Sequence, residues 1–141
     1  MSLSARSFAS FVLLLALSAA PALAAETAPP EVRALIERQL DAFAHDDAEG
    51  AYALTAPGIR SLFPDSETFM AMVRGSYAPV YRHRSVEFGA FSDEGERIEQ
   101  GLTIVDDDNQ VWIAIYLLER EPDGTWRTSG CILNKSSQSS L

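Results

Sequence analysis

The sequence predicts an α+β domain in which N-terminal helices pack on a curled four-stranded antiparallel sheet. Two observations carry this. Apolar residues recur at helical spacing as far as about residue 75, and beyond Pro79 they alternate at strand spacing with turn signals between the runs. Helices and strands segregated along the chain favour one helical layer covering one sheet face.

The chain has 141 residues, 47% of them apolar and 22% charged, with a formal net charge of -9. This composition excludes a disordered polyelectrolyte and a disulfide-dense miniprotein. The acidic balance argues against nucleic acid as a partner, because phosphate neutralisation needs a basic face.

Residues 1–24 read as a secretory signal. Arg6 is their only charge, residues 8–20 are almost continuously apolar, and Ala22-Leu23-Ala24 gives the small-x-small exit that a signal peptidase accepts. Twin arginines are absent, so the general secretory route is expected. Cleavage after Ala24 removes Arg6 and no acid. No later apolar run is long enough to cross a bilayer, so the mature chain is expected in the periplasm or outside the cell, with no membrane attachment.

Residues 25–30 form a linker ending in Pro29-Pro30, and the first helix starts there because proline suits a first turn. Val32, Leu35, Ile36, Leu40 and Phe43 lie on one stripe. Asp46-Asp47-Ala48-Glu49 has the form of a capping box, followed by a short helix through Tyr52 and Leu54. After Thr55-Ala56-Pro57, Ile59, Leu62 and Phe63 are expected to pin one helical turn to the core. Pro64-Asp65-Ser66 caps a further helix whose apolar face holds Phe69, Met70, Met72 and Val73, and Gly75 suits its C-terminal cap.

The first strand alternates at Val86, Phe88 and Ala90. Asp93-Glu94-Gly95 turns into a second, with Ile98, Leu102 and Ile104 on one side. Asp106-Asp107-Asp108-Asn109 is a hairpin turn. It lacks the glycine and distal glutamate of a calcium loop, with Val111 and Leu117 at those places. Residues 111–118 are apolar on both faces, as a central strand would be, which leaves a second apolar surface and suggests a homodimer through the outer sheet face. Pro122-Asp123-Gly124 turns into a last strand over residues 126–133. The domain is thus expected over residues 31–134, with residues 135–141 a flexible Ser-rich tail.

Several stretches resemble an exported bacterial family, domain of unknown function family 4864. They are Pro57-Gly58-Ile59-Arg60, Phe69-Met70-Ala71-Met72-Val73-Arg74, Tyr77-Ala78-Pro79-Val80-Tyr81-Arg82 and Trp126-Arg127-Thr128-Ser129-Gly130-Cys131. The likeness runs from about Val32 to Leu133, and the chain departs from the family pattern at His83, where proline is expected. The family is similar to the nuclear-transport-factor-two-like (cystatin-like) cones. That superfamily spans isomerases, cyclases, dehydratases and non-catalytic binding domains, so the resemblance implies a fold and no catalytic residue.

The chemistry is sparse. Residues 77–84 gather two arginines, one histidine and two tyrosines in an acidic chain. Guanidinium groups hold carboxylates or phosphates in paired hydrogen bonds. This opens the reading of a small anionic ligand at the helix-to-sheet junction, and any pocket is expected to be lined by Tyr77, Tyr81, Arg82, Trp112 and Tyr116. The plainer alternative makes Arg82 and Arg84 charged strand-edge residues and the tyrosines core. His45 beside Asp46 and Asp47 invites acid–base chemistry, but the acids have a capping role. His45, His83 and Cys131 are 38 and 48 residues apart, which matches no compact metal motif, so no metal and no cofactor are expected. Cys131, the single cysteine, reads as a small buried hydrophobe.

The favoured function is a non-enzymatic exported domain that binds a small molecule or another envelope protein. The alternatives are an isomerase- or hydrolase-like enzyme using a pocket histidine, which needs one imidazole on a concave site, and a dimerisation or assembly module. The last predicts a filled interior under a large apolar outer face.

Overall fold

The computed structural model describes residues 27–139; the signal segment and the junction at Ala24 lie outside them. Five helices precede four strands: α1 (Pro30–Ala44), α2 (Ala48–Ala53), α3 (Pro57–Leu62), α4 (Ser66–Ser76), α5 (Ala78–Tyr81), β1 (His83–Asp93), β2 (Arg97–Asp106), β3 (Gln110–Arg120) and β4 (Trp126–Ser139). The strands form one antiparallel sheet in the order β1-β2-β3-β4, as the α+β reading requires. No described helix is long and apolar enough to cross a membrane.

The stripe of α1 is buried as expected, at Val32, Leu35, Ile36, Leu40 and Phe43. It packs on the inner sheet face, where Ile98, Leu102 and Ile104 of β2 meet Ala114, Tyr116 and Leu118 of β3. Phe69 of α4 joins the helical layer, with its ring 6.3 Å from Phe43, 5.7 Å from Tyr52 and 6.1 Å from Phe63.

Local details depart from the sequence pattern. Asp47, not Asp46, caps α2 by accepting from the Gly50 backbone N–H at 2.9 Å. Glu49 closes no capping box and instead accepts from the Ser66 hydroxyl at the start of α4. Asp46 is left in the left-handed region at φ 57°, where Asp is among the few tolerated side chains. Leu62 does not pin α3, because it is 72% exposed while Ile59 and Phe63 pack inward. Helix α4 runs through Gly75 and stops at Ser76, because Pro79 ends regular helix nearby and a separate turn, α5, follows.

The alternation in β1 breaks between Phe88 and Phe91, so Phe91 and not Ala90 turns to the core. This irregularity also satisfies a buried amide. Gln100, 1% exposed, donates to Gly89 O at 3.0 Å and Gly101 O at 2.8 Å. β4 continues through residues assigned to a flexible tail, reaching Ser139 opposite Gln110. The long β3 supplies the reason. Its first half offers unpaired backbone groups, and Gln110 Nε2 donates to Ser136 O at 3.0 Å while Lys135 lies over the Trp112 ring at 5.9 Å. The outer sheet face exposes Ile113 (39%) and Ile132 (48%) on these two strands.

Candidate functional site

Helices and sheet do not close completely on one another. A cavity of about 80 Å³ remains, lined by Gln39 and Phe43 of α1, Thr55, Ile59 of α3, Phe69, Met72 and Val73 of α4, Tyr77, Val80 of α5, Tyr116 of β3 and Thr128, Gly130 and Cys131 of β4. Its floor is buried side chains, among them Gln39, Thr55, Tyr116 and Thr128, and its rim is the half-buried Ile59, Met72, Tyr77 and Cys131.

A β-bulge builds the β4 wall. Leu117 pairs with Gly130 and Leu118 with Thr128, which leaves Ser129 as an extra residue. Period-two alternation would put residues three apart on opposite faces. The bulge instead turns both Thr128 and Cys131 to the cavity. The segment before α3 locks this arrangement: Thr128 N–H donates to Leu54 O at 2.9 Å, and Ala56 N–H donates to Thr128 O at 2.8 Å.

The hydroxyls of the cavity are unequally satisfied. Thr55 donates to Tyr52 O at 2.7 Å and Tyr77 donates to Cys131 O at 3.0 Å. The Thr128 hydroxyl is buried without any hydrogen-bond partner among the described residues. Gln39 Nε2 donates to Ala51 O at 3.1 Å, which leaves its side-chain carbonyl as an acceptor.

Every titratable group lining the cavity is held neutral near pH 7. Burial pushes Tyr77 up from its ordinary value and Tyr116 well above it, and the neighbouring Cys131 adds to both. Burial alone pushes the Cys131 thiol up to about 12. Raised values of this kind stabilise the fold fully below the unfolded pKa and lose that contribution as pH climbs toward the folded one. Stability should therefore fall from about pH 9, the ordinary thiol value, toward about 12, and Cys131→Ala should delay the onset of alkaline unfolding. Alkylation of the native thiol at pH 7.5 should run slower than that of the denatured chain by roughly a thousandfold, following the three-unit loss of thiolate.

The structure divides the five residues read as a pocket lining. Tyr77 and Tyr116 line the cavity. Tyr81 and Arg82 form a separate brace around the strained Asp46. Arg82 donates to Asp46 Oδ1 and Oδ2 at 2.8 and 2.9 Å and to Phe43 O at 2.9 Å, and its guanidinium lies 4.0 Å from the Tyr81 ring centroid. The Tyr81 hydroxyl donates to the same carboxylate. The pair is half exposed, so its charge attraction is small. Asp46→Ala should cost about 1 kcal/mol in chemical denaturation, mostly through the Tyr81 and Arg82 hydrogen bonds. Trp112 faces a surface groove with Arg82 and the Asp106–Asp108 turn, and its indole N–H donates to Asp106 Oδ2 at 2.7 Å.

Neither histidine lies in the cavity lining. His45 Nδ1 lies 2.9 Å from Asp41 O in an exposed position, and His83 Nδ1 lies 3.0 Å from Val80 O beside a shallow outer groove. Tyr52 packs on Phe69 and donates to Phe63 O at 2.6 Å. The residues that sequence reading missed are Thr128, Thr55 and Gln39. Gly130 inside a strand was the available signal, because it marks the bulge that turns Thr128 inward.

The arrangement defines an α+β domain whose helical layer and four-stranded antiparallel sheet enclose a small uncharged cavity. The chain belongs to the family described as Domain of unknown function (DUF4864), which it matches over residues 25–141. No curated relative matches it.

Proposed function

We propose that this protein is an exported, non-enzymatic domain that holds a small molecule in the cavity between its helices and its sheet, with a cone of the nuclear-transport-factor-two-like kind as the frame. The observation that carries the reading is the preformed cavity with an apolar rim and a few polar groups on its floor, the usual composition of a ligand site. Export to the periplasm or beyond rests on the charge, apolar run and Ala22-Leu23-Ala24 exit of residues 1–24. Sequencing the mature N-terminus should begin at Ala25.

Two features favour this over the alternatives. An acid–base enzyme needs a group that exchanges protons near neutrality, whereas Tyr77, Tyr116 and Cys131 are all shifted upward and both imidazoles lie elsewhere. A pure assembly module needs no interior space. The cavity also favours a neutral ligand over the anionic one first expected, because the Arg82 charge is met by Asp46 outside it.

The test is a titration with small neutral organic molecules, followed through the methyl resonances of Met72, Val73 and Val80. Binding in the cavity shifts these and leaves the outer-face Ile113 and Ile132 unmoved. A rim-closing Met72→Trp variant should abolish the shifts while keeping the fold. Shifts that survive this closure would refute the cavity as the site.

A further inference from the structure

We infer that the cavity is built for a neutral, mainly apolar molecule carrying one hydroxyl or carbonyl oxygen, and that the Thr128 hydroxyl is the anchor for that oxygen. The inference rests on the binding reading above and names the ligand class for the same site.

Thr128 is 6% exposed, and its hydroxyl has no partner among the described residues. Buried polar groups are nearly always satisfied, so an orphan hydroxyl on a residue of the cavity wall calls for an occupant that completes it. The backbone keeps the residue at the cavity wall. The bulge and the backbone bonds to Leu54 and Ala56 hold Thr128 from both sides.

The rest of the lining sets the chemistry. No Asp, Glu, Lys, Arg or His lines the cavity, so nothing there compensates an ionic ligand. Phe43, Phe69, Val73 and Val80 enclose an apolar body. Tyr116 is fully buried against the cavity, and Gln39 keeps an acceptor. The Thr128 hydroxyl can both donate and accept, so it matches an alcohol, phenol, aldehyde or ketone oxygen. A volume of about 80 Å³ holds a small skeleton or the head of a longer one that leaves past Ile59 and Met72.

Phenol and toluene make the direct comparison, since they are close in shape and differ in the oxygen. Each is titrated against the full folded protein by calorimetry, with methyl resonances reporting location. Phenol should bind about tenfold more tightly than toluene, the difference one satisfied hydrogen bond makes. Thr128→Val should erase that preference, and Thr128→Ser, which keeps the hydroxyl, should retain it. A preference unchanged in Thr128→Val, or equal binding of both probes by the unaltered protein, overturns the anchor while the cavity remains a binding site. If neither probe moves the cavity methyls, the space holds water only, and both the anchor and the binding reading fall.

Discussion

Phe69→Ala should remove about 3–5 kcal/mol of stability, a large share of what a domain of this size possesses. Phe69 is 5% exposed and sits where three aromatic rings converge, from α1, from α2 and from the segment after α3. The truncation loses its transfer free energy, its edge and tilted ring contacts, and the packing of the cavity wall it forms. The surrounding helices cannot collapse into the gap, because α2 is capped by Asp47 and tied to α4 through Glu49 and Ser66. Phe69→Leu keeps most of the volume and should cost about 1–1.5 kcal/mol. Urea unfolding midpoints of the two variants separate these values. A loss near 1 kcal/mol for the alanine variant would mean that the helical layer repacks freely around a soft cavity.

Thr128→Val should stabilise the unliganded protein by about 1–3 kcal/mol, against the usual direction of core substitutions. Valine keeps the branched shape and removes a buried hydroxyl that has no partner. Thr55→Val, on the segment bridged to Thr128, should act in the opposite sense. The Thr55 hydroxyl donates to Tyr52 O at 2.7 Å, so its removal forfeits one of the two hydrogen bonds on that carbonyl, the other coming from the Thr55 N–H at 3.1 Å, and should cost about 1 kcal/mol. Thermal melts of the two variants, run side by side, read out the difference in sign. A destabilising Thr128→Val would mean that the hydroxyl is already satisfied.

The sequence made the layers legible because each rests on local chemistry. The α1 stripe, the Asp65 cap, whose side chain accepts from Thr68 N–H at 2.7 Å, and the turns at Gly95 and Gly124, both with positive φ, all depend on neighbours in the chain. The cavity was less legible because it depends on residues far apart in sequence. Tyr77 was read from the cluster of residues 77–84 and Tyr116 from aromatics at strand spacing, but Thr128 reached the interior through a bulge that one glycine signals only weakly. Arg82 and Tyr81 looked like ligand groups because basic residues are few in an acidic chain. Their partner, Asp46, lies 36 and 35 residues away and is brought to them by a strained turn that no local pattern announces. The extension of β4 to Ser139 escaped for a related reason: Ser-rich sequence has little strand preference, and pairing with β3 overrides it.

The most direct test of the central claim is native mass spectrometry of the protein purified from its own compartment. The account predicts a species heavier than the chain from Ala25 to Leu141 by one small neutral molecule, released on gentle activation and missing from the Met72→Trp variant. A population made up wholly of the bare chain would contradict it.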